Sequence, residues 1–93
     1  MKVKFFATFR DMVNLKELEM DLTESQSPTI KMLLDDIIEK YPLLQTEIYY
    51  EDGTVRRMTH ILVNGRNIIH LDGLQTKIKS SDEVALIPPV GGG

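Results

Sequence analysis

The sequence predicts an α+β domain: a mixed sheet of four or five strands, one main amphipathic helix over about residues 28–41, and a flexible Gly-Gly-Gly tail. Three observations carry that expectation. Apolar and polar residues alternate with period two near both ends of the chain, an apolar stripe of helical period lies between them, and Asn64-Gly65 marks a tight hairpin. At 93 residues the chain suits one domain, 1–93, with a single modest core and residues 89–93 as its tail.

In "VKFFATF", Val3, Phe5, Ala7 and Phe9 fall on one face of a strand and Lys4, Phe6, Thr8 and Arg10 on the other, which predicts a first strand over 2–9. "KELEMDL" repeats the device, with Leu18, Met20 and Leu22 opposite Glu17, Glu19 and Asp21. The short link "RDMVN" between them predicts a hairpin.

In "SPTIKMLLDDIIEKYP", Ser27 suits a helix cap and Pro28 the first helical position. Ile30, Leu33, Leu34, Ile37, Ile38 and Tyr41 then form one stripe, ended before Pro42, while Lys31, Asp35, Asp36, Glu39 and Lys40 face water. A less regular stretch follows, with a turn at "EDGT". "THILVNGRNII" predicts a strand with Ile61 and Val63 inward and a hairpin at Asn64-Gly65. "HLDGLQTKIKSSD" is a loop, and "EVALIP" a last strand with Val84 and Leu86 on one face and Ala85 and Ile87 on the other. Pro88-Pro89 lack ladder donors, so the sheet should stop there. The five residues from Pro89 onward would reach roughly 17 Å.

Composition excludes several functions. The sequence has no cysteine, so disulfides, thiolate metal sites, a cysteine nucleophile and a cysteine persulfide are ruled out. A net charge of -3 without a clustered basic run argues against a nucleic-acid partner. "MKVKFFATFRDM" is too short and polar for a signal-peptide core, and no apolar run approaches a membrane span, so a cytoplasmic protein without a membrane partner is expected. His60 and His70 lack a third ligand at a recognisable spacing, so no metal site is expected. Asp35-Asp36 reads as a solvated helix face, because adjacent helical residues point about 100° apart.

The element order with a single helix is that of a β-grasp, or ubiquitin-like, arrangement, in which the first and last strands can lie side by side. "KFFATFRD", "LVNGRNI" with "HLDGL", and "DEVALIPPVGGG" occur in the order of the β-grasp sulfur-carrier family, which the whole chain resembles. That family includes the small subunit of molybdopterin synthase, its thiamine-pathway relatives and the small archaeal ubiquitin-like modifier proteins. Gly91 stands where the family commonly has alanine or threonine, and the terminal glycine pair is intact.

The resemblance implies that the carboxylate of Gly93 is adenylated with ATP by an E1-like partner and converted to a thiocarboxylate. It further implies sulfur donation to a pterin precursor in complex with the large subunit of molybdopterin synthase. On that reading the chain binds no permanent cofactor and brings no catalytic side chain of its own, so it is not an enzyme by itself. The chemistry fits the residues. A carboxylate is a poor acyl donor until activated, and Gly91 and Gly92 can follow Val90 through a narrow channel because glycine has no side chain to clash. Pro88 and Pro89 would stiffen the departure point.

Phe6, Leu62 and Ile87 fall on polar or outer strand faces, which suggests an exposed apolar partner-binding patch beside the tail. Other readings stand beside these. Three glycines also arise as a scar or frayed end, and a bulge would put Phe6 in the core. Two further functions remain open: a modifier joined to target-protein lysines, or a sulfur carrier for tRNA thiolation, through the same activated terminus; and a β-grasp interaction module with an inert tail.

Overall fold

Alternation begins where the sequence places it and stops sooner. Strand β1 spans Lys2–Phe5, with Val3 and Phe5 buried. Instead of running on to residue 9, the chain leaves the sheet at Phe6 and forms helix α1, Ala7–Val13. The change of direction is made at Ala7, whose φ of 49° lies in the left-handed region, a conformation that costs an L residue roughly 1–2 kcal/mol. Phe9 and Val13, one helical turn apart, are buried, so Phe9 reaches the core by a helical route. Ala7 is exposed, not inward as alternation suggested. The link to strand β2, Glu17–Glu19, is therefore this helix rather than a short turn. The structure is a computed structural model and describes residues 1–22 and 26–89.

Helix α2 is Ile30–Lys40, shorter than the expected 28–41. Its cap is Thr29, whose hydroxyl accepts from the Met32 amide at 3.3 Å, not Ser27, and Pro28 precedes the cap. The start is displaced because this backbone is already tied elsewhere: Ile78 donates to the Pro28 carbonyl and Ile30 to that of Thr76, each at 3.0 Å. The apolar stripe is as read: Ile30, Leu33, Leu34 and Ile37 are fully buried, and Ile38 and Tyr41 pack against them. The irregular stretch contains a third helix, α3, Leu44–Ile48, held by those two buried end residues. A 3-10 turn, Gly73–Gln75, lies in the expected loop, and another, Ile68–His70, begins before it, within the segment expected to continue the hairpin.

Strand β3 is His60–Val63, β4 is Arg66–Asn67 and β5 is Glu83–Ile87. Asn64 and Gly65 join β3 to β4 with φ of 50° and 86°, the paired left-handed conformations that Asn-Gly favours. The sheet order is β2-β1-β5-β3-β4, with β1 and β5 parallel at the centre and every other pair antiparallel. Ile61, Val63, Val84 and Leu86 face the core with Val3 and Phe5. No helix among the described residues is long and apolar enough to cross a membrane.

One core residue is imperfectly satisfied. Tyr49 is 5% exposed, and its buried hydroxyl has no hydrogen-bond partner among the described residues. Burial, reinforced by the charge of Asp35, pushes its pKa up to about 12. Tyr49→Phe removes the orphaned hydroxyl and is expected to raise stability by about 1 kcal/mol in urea unfolding. Because the folded state holds the phenolic proton more tightly than the unfolded chain, Tyr49 ionisation leaves stability untouched below pH 10 and lowers it progressively as pH rises towards 12. The Phe variant should show a shallower alkaline decline, and an equal decline would place its cause elsewhere.

Candidate functional site at the end of strand β5

Strand β5 carries the tail from the middle of the sheet. It ends at Ile87, where the proline pair removes the next two donors; Pro88 is buried and Pro89 exposed. The domain's solvent-facing departure point is therefore Pro89. Val90, Gly91, Gly92 and Gly93 lie outside the described residues.

Register places the expected patch. Phe5 pairs with Leu86, and Phe6, still extended at φ -120° and ψ 153°, donates its amide to the Leu86 carbonyl at 3.2 Å. Phe6 thus stands beside Ile87 on the sheet face away from α2. Leu62 pairs with Ala85 and His60 with Ile87 on that same face. Phe6 is 36% exposed, whereas Leu62 and Ile87 are half-buried. Charged pairs frame the apolar positions: Lys4 meets Glu83 at 3.2 Å and Lys2 meets Glu17 at 3.7 Å.

Two polar arrangements brace the two ends of β5, the first at its entry and the second beside its exit, and are not apparent from spacing alone. Asn64 donates its side-chain amide to Asp82 at 2.9 Å and accepts from the Glu83 amide at 3.0 Å, while Asp82 also accepts from the Lys79 amide at 2.8 Å. These bonds fix the entry of β5 against the β3–β4 turn. Asn67 accepts from the Ile69 amide at 3.1 Å, which turns its NH2 towards His60 Nδ1, also at 3.1 Å. Nδ1 must then accept, so the ring proton sits on Nε2. Asparagine beside a tight turn was the available signal for both; the partners came from the fold.

The described residues contain no group of three or more His, Asp or Glu able to hold a metal ion. His60 is engaged by Asn67, and no nucleophile and base pair stands in the patch. What the geometry offers is a central strand, a buried proline at its end, and an exposed Pro89 after it.

A five-stranded mixed sheet with first and last strands parallel, crossed by one long helix, defines a ubiquitin-like β-grasp protein of the sulfur-carrier and small-modifier class. The chain belongs to the ThiS family, whose model matches residues 3–93. It is 34% identical over 93 residues to small archaeal modifier protein 3 of Haloferax volcanii, covering 100% of this chain and 98% of that one. A chain of Archaeoglobus fulgidus described as a sulfur carrier protein is 35% identical over 81 residues, covering 87% and 89%. Among solved structures, SAMP1 from Haloferax volcanii superposes with a TM-score of 0.85 at 27% identity, covering 100% and 98%. A Pyrococcus furiosus protein described as subunit 1 of a molybdopterin converting factor gives 0.74 at 29% identity, covering 96% and 95%.

Proposed function

We propose that the chain carries sulfur as a thiocarboxylate on Gly93 and delivers it in molybdopterin synthesis. The observation that carries the reading is that β5, the strand that precedes the glycine-ended sequence, ends at Ile87 beside Phe6 and Leu62, in a member of this family. The likeness to the Pyrococcus furiosus protein supports the pterin branch.

Activation proceeds in three balanced steps on a partner of the E1-like type. The Gly93 carboxylate attacks the α-phosphorus of ATP, releasing pyrophosphate and leaving an acyl-adenylate. A persulfide on the partner then attacks the acyl carbon and displaces AMP, giving an acyl disulfide, and a second thiol of the partner attacks the donor's sulfur, so that a new disulfide forms on the partner and the thiocarboxylate leaves. ATP and the reactive sulfur belong to the partner, since this sequence has no cysteine. The apolar patch would seat first the activating enzyme and then the large subunit of the synthase.

The likeness to small archaeal modifier protein 3 favours a second reading, in which a lysine amine takes the activated acyl group and forms an isopeptide bond. The chemistry is shared up to the adenylate, and the nucleophile differs. Fragmentation mass spectrometry of the C-terminal peptide, from protein purified out of its own cells, separates them. Sulfur in place of one oxygen on Gly93 is the expected result. Gly93 joined to lysines of other proteins would put the modifier reading first, and an unmodified terminus after supply of ATP, sulfur donor and activating enzyme would overturn both.

A further inference from the structure

Charge is unevenly distributed around the sheet. Residues 53–71 contain Arg56, Arg57 and Arg66 and not one of the 14 acidic residues. At the other edge four acids, Glu19, Asp21, Asp36 and Glu39, line one cavity with Lys40. The acid-free stretch also carries two of the most exposed large apolar side chains, Ile69 at 73% and Met58 at 57%.

The fold gathers part of this stretch around a groove of about 250 Å³ at the β3 edge, where β4 has ended and the first 3-10 turn begins. Val55, Ile61, Ile68 and Leu74 supply its apolar lining, and Arg56 and Arg57 its cationic rim. Arg56 is held in place: its Nε donates to the Thr46 carbonyl at 2.6 Å and its guanidinium lies 5.0 Å from the Tyr50 ring centre. Arg57 is exposed and has no ion-pair partner among the described residues. Thr59 and His60 also line the groove, and His60 pairs with Ile87 at the tail's departure. A partner enclosing the tail is thus brought alongside this groove.

We infer that the β3-edge groove is a second docking surface, taking an acidic segment of the activating enzyme with an apolar side chain seated between Arg57 and Ile69. The inference rests on the carrier reading above and adds a contact separate from the Phe6–Ile87 patch. Charge complementarity carries it: unopposed cations beside an apolar recess match carboxylates flanking an apolar anchor.

The test is steady-state adenylation of the full chain by the E1-like enzyme from the same cells, followed by pyrophosphate release at several salt concentrations. Arg57→Glu should raise KM for the carrier about tenfold, leave kcat within about twofold and flatten the salt dependence of KM. Ile69→Glu, at a site too exposed to threaten folding, should raise KM similarly. Lys16→Glu makes the same charge change ahead of β2 and should leave KM unaltered. If all three variants match the natural chain, the groove is not a docking surface while the carrier reading stands. Equal weakening by Lys16→Glu would reduce the effect to net charge and overturn the inference. A natural chain that the enzyme never adenylates sinks the carrier reading and this inference together.

Discussion

Phe9→Ala is expected to destabilise the protein by about 3–5 kcal/mol, the usual cost of emptying a fully buried phenylalanine site. Phe9 has 0% exposure and, with Val13, is one of the two buried anchors of α1. For a chain of this length total stability is roughly 5–14 kcal/mol, so the loss takes about a fifth of it or more. In urea the midpoint should fall by about 2 M for an m-value near ~2 kcal/mol/M. Phe6→Ala, three residues earlier, should cost no more than about 1 kcal/mol because Phe6 is on the surface. The comparison reads the fold directly. Similar large losses at both positions would mean that Phe6 is core, and a small loss at Phe9 would mean that α1 is not packed as described.

Removing Gly92 and Gly93 should leave stability unchanged and reduce adenylation by more than about 100-fold. The shortening draws the carboxylate back by roughly 7 Å, and misplacing a reacting group by even ~1 Å can cost about 100-fold. The stability expectation follows from the sheet, which ends at Ile87, with Pro88 already buried behind it. Thermal unfolding and pyrophosphate release measured on one preparation keep the two effects apart. Undiminished adenylation would show that the terminal pair serves no access role, whereas a lowered unfolding midpoint would show that the tail supports the domain.

The strongly periodic elements were legible. The α2 stripe spans three turns and fits no other period, Asn64-Gly65 asks for two left-handed residues and receives them, and β5 alternates until a proline pair ends it. Helix α1 was not legible because its residues satisfy two patterns at once. Val3, Phe5, Ala7 and Phe9 alternate like a strand, while Phe9 and Val13 have helical spacing. The deciding residue, Ala7, adopts a left-handed conformation that alanine does not advertise. Helix α3 offers only Leu44 and Ile48, too few positions to establish a period. At the site, the outer positions of Phe6, Leu62 and Ile87 followed from alternation, since parity survives even when a strand ends early. The groove did not, because Val55, Ile61, Ile68 and Leu74 come from separate segments that only the fold brings together.

The parallel pairing of β1 with β5 has a consequence for how the molecule is made. Residues 2–5 wait for residues 83–86 before the middle of the sheet can close, so the central contacts are the most distant in the chain and their loop-closure entropy falls due before any compensating contact forms. During synthesis the helices can form early, but the sheet cannot be completed until β5 has left the ribosome, only a few residues ahead of the glycines. A nascent chain stalled before β5 lacks both the fold and the terminus. Translation itself thereby couples completion of the sheet to the synthesis of the residues that immediately follow β5.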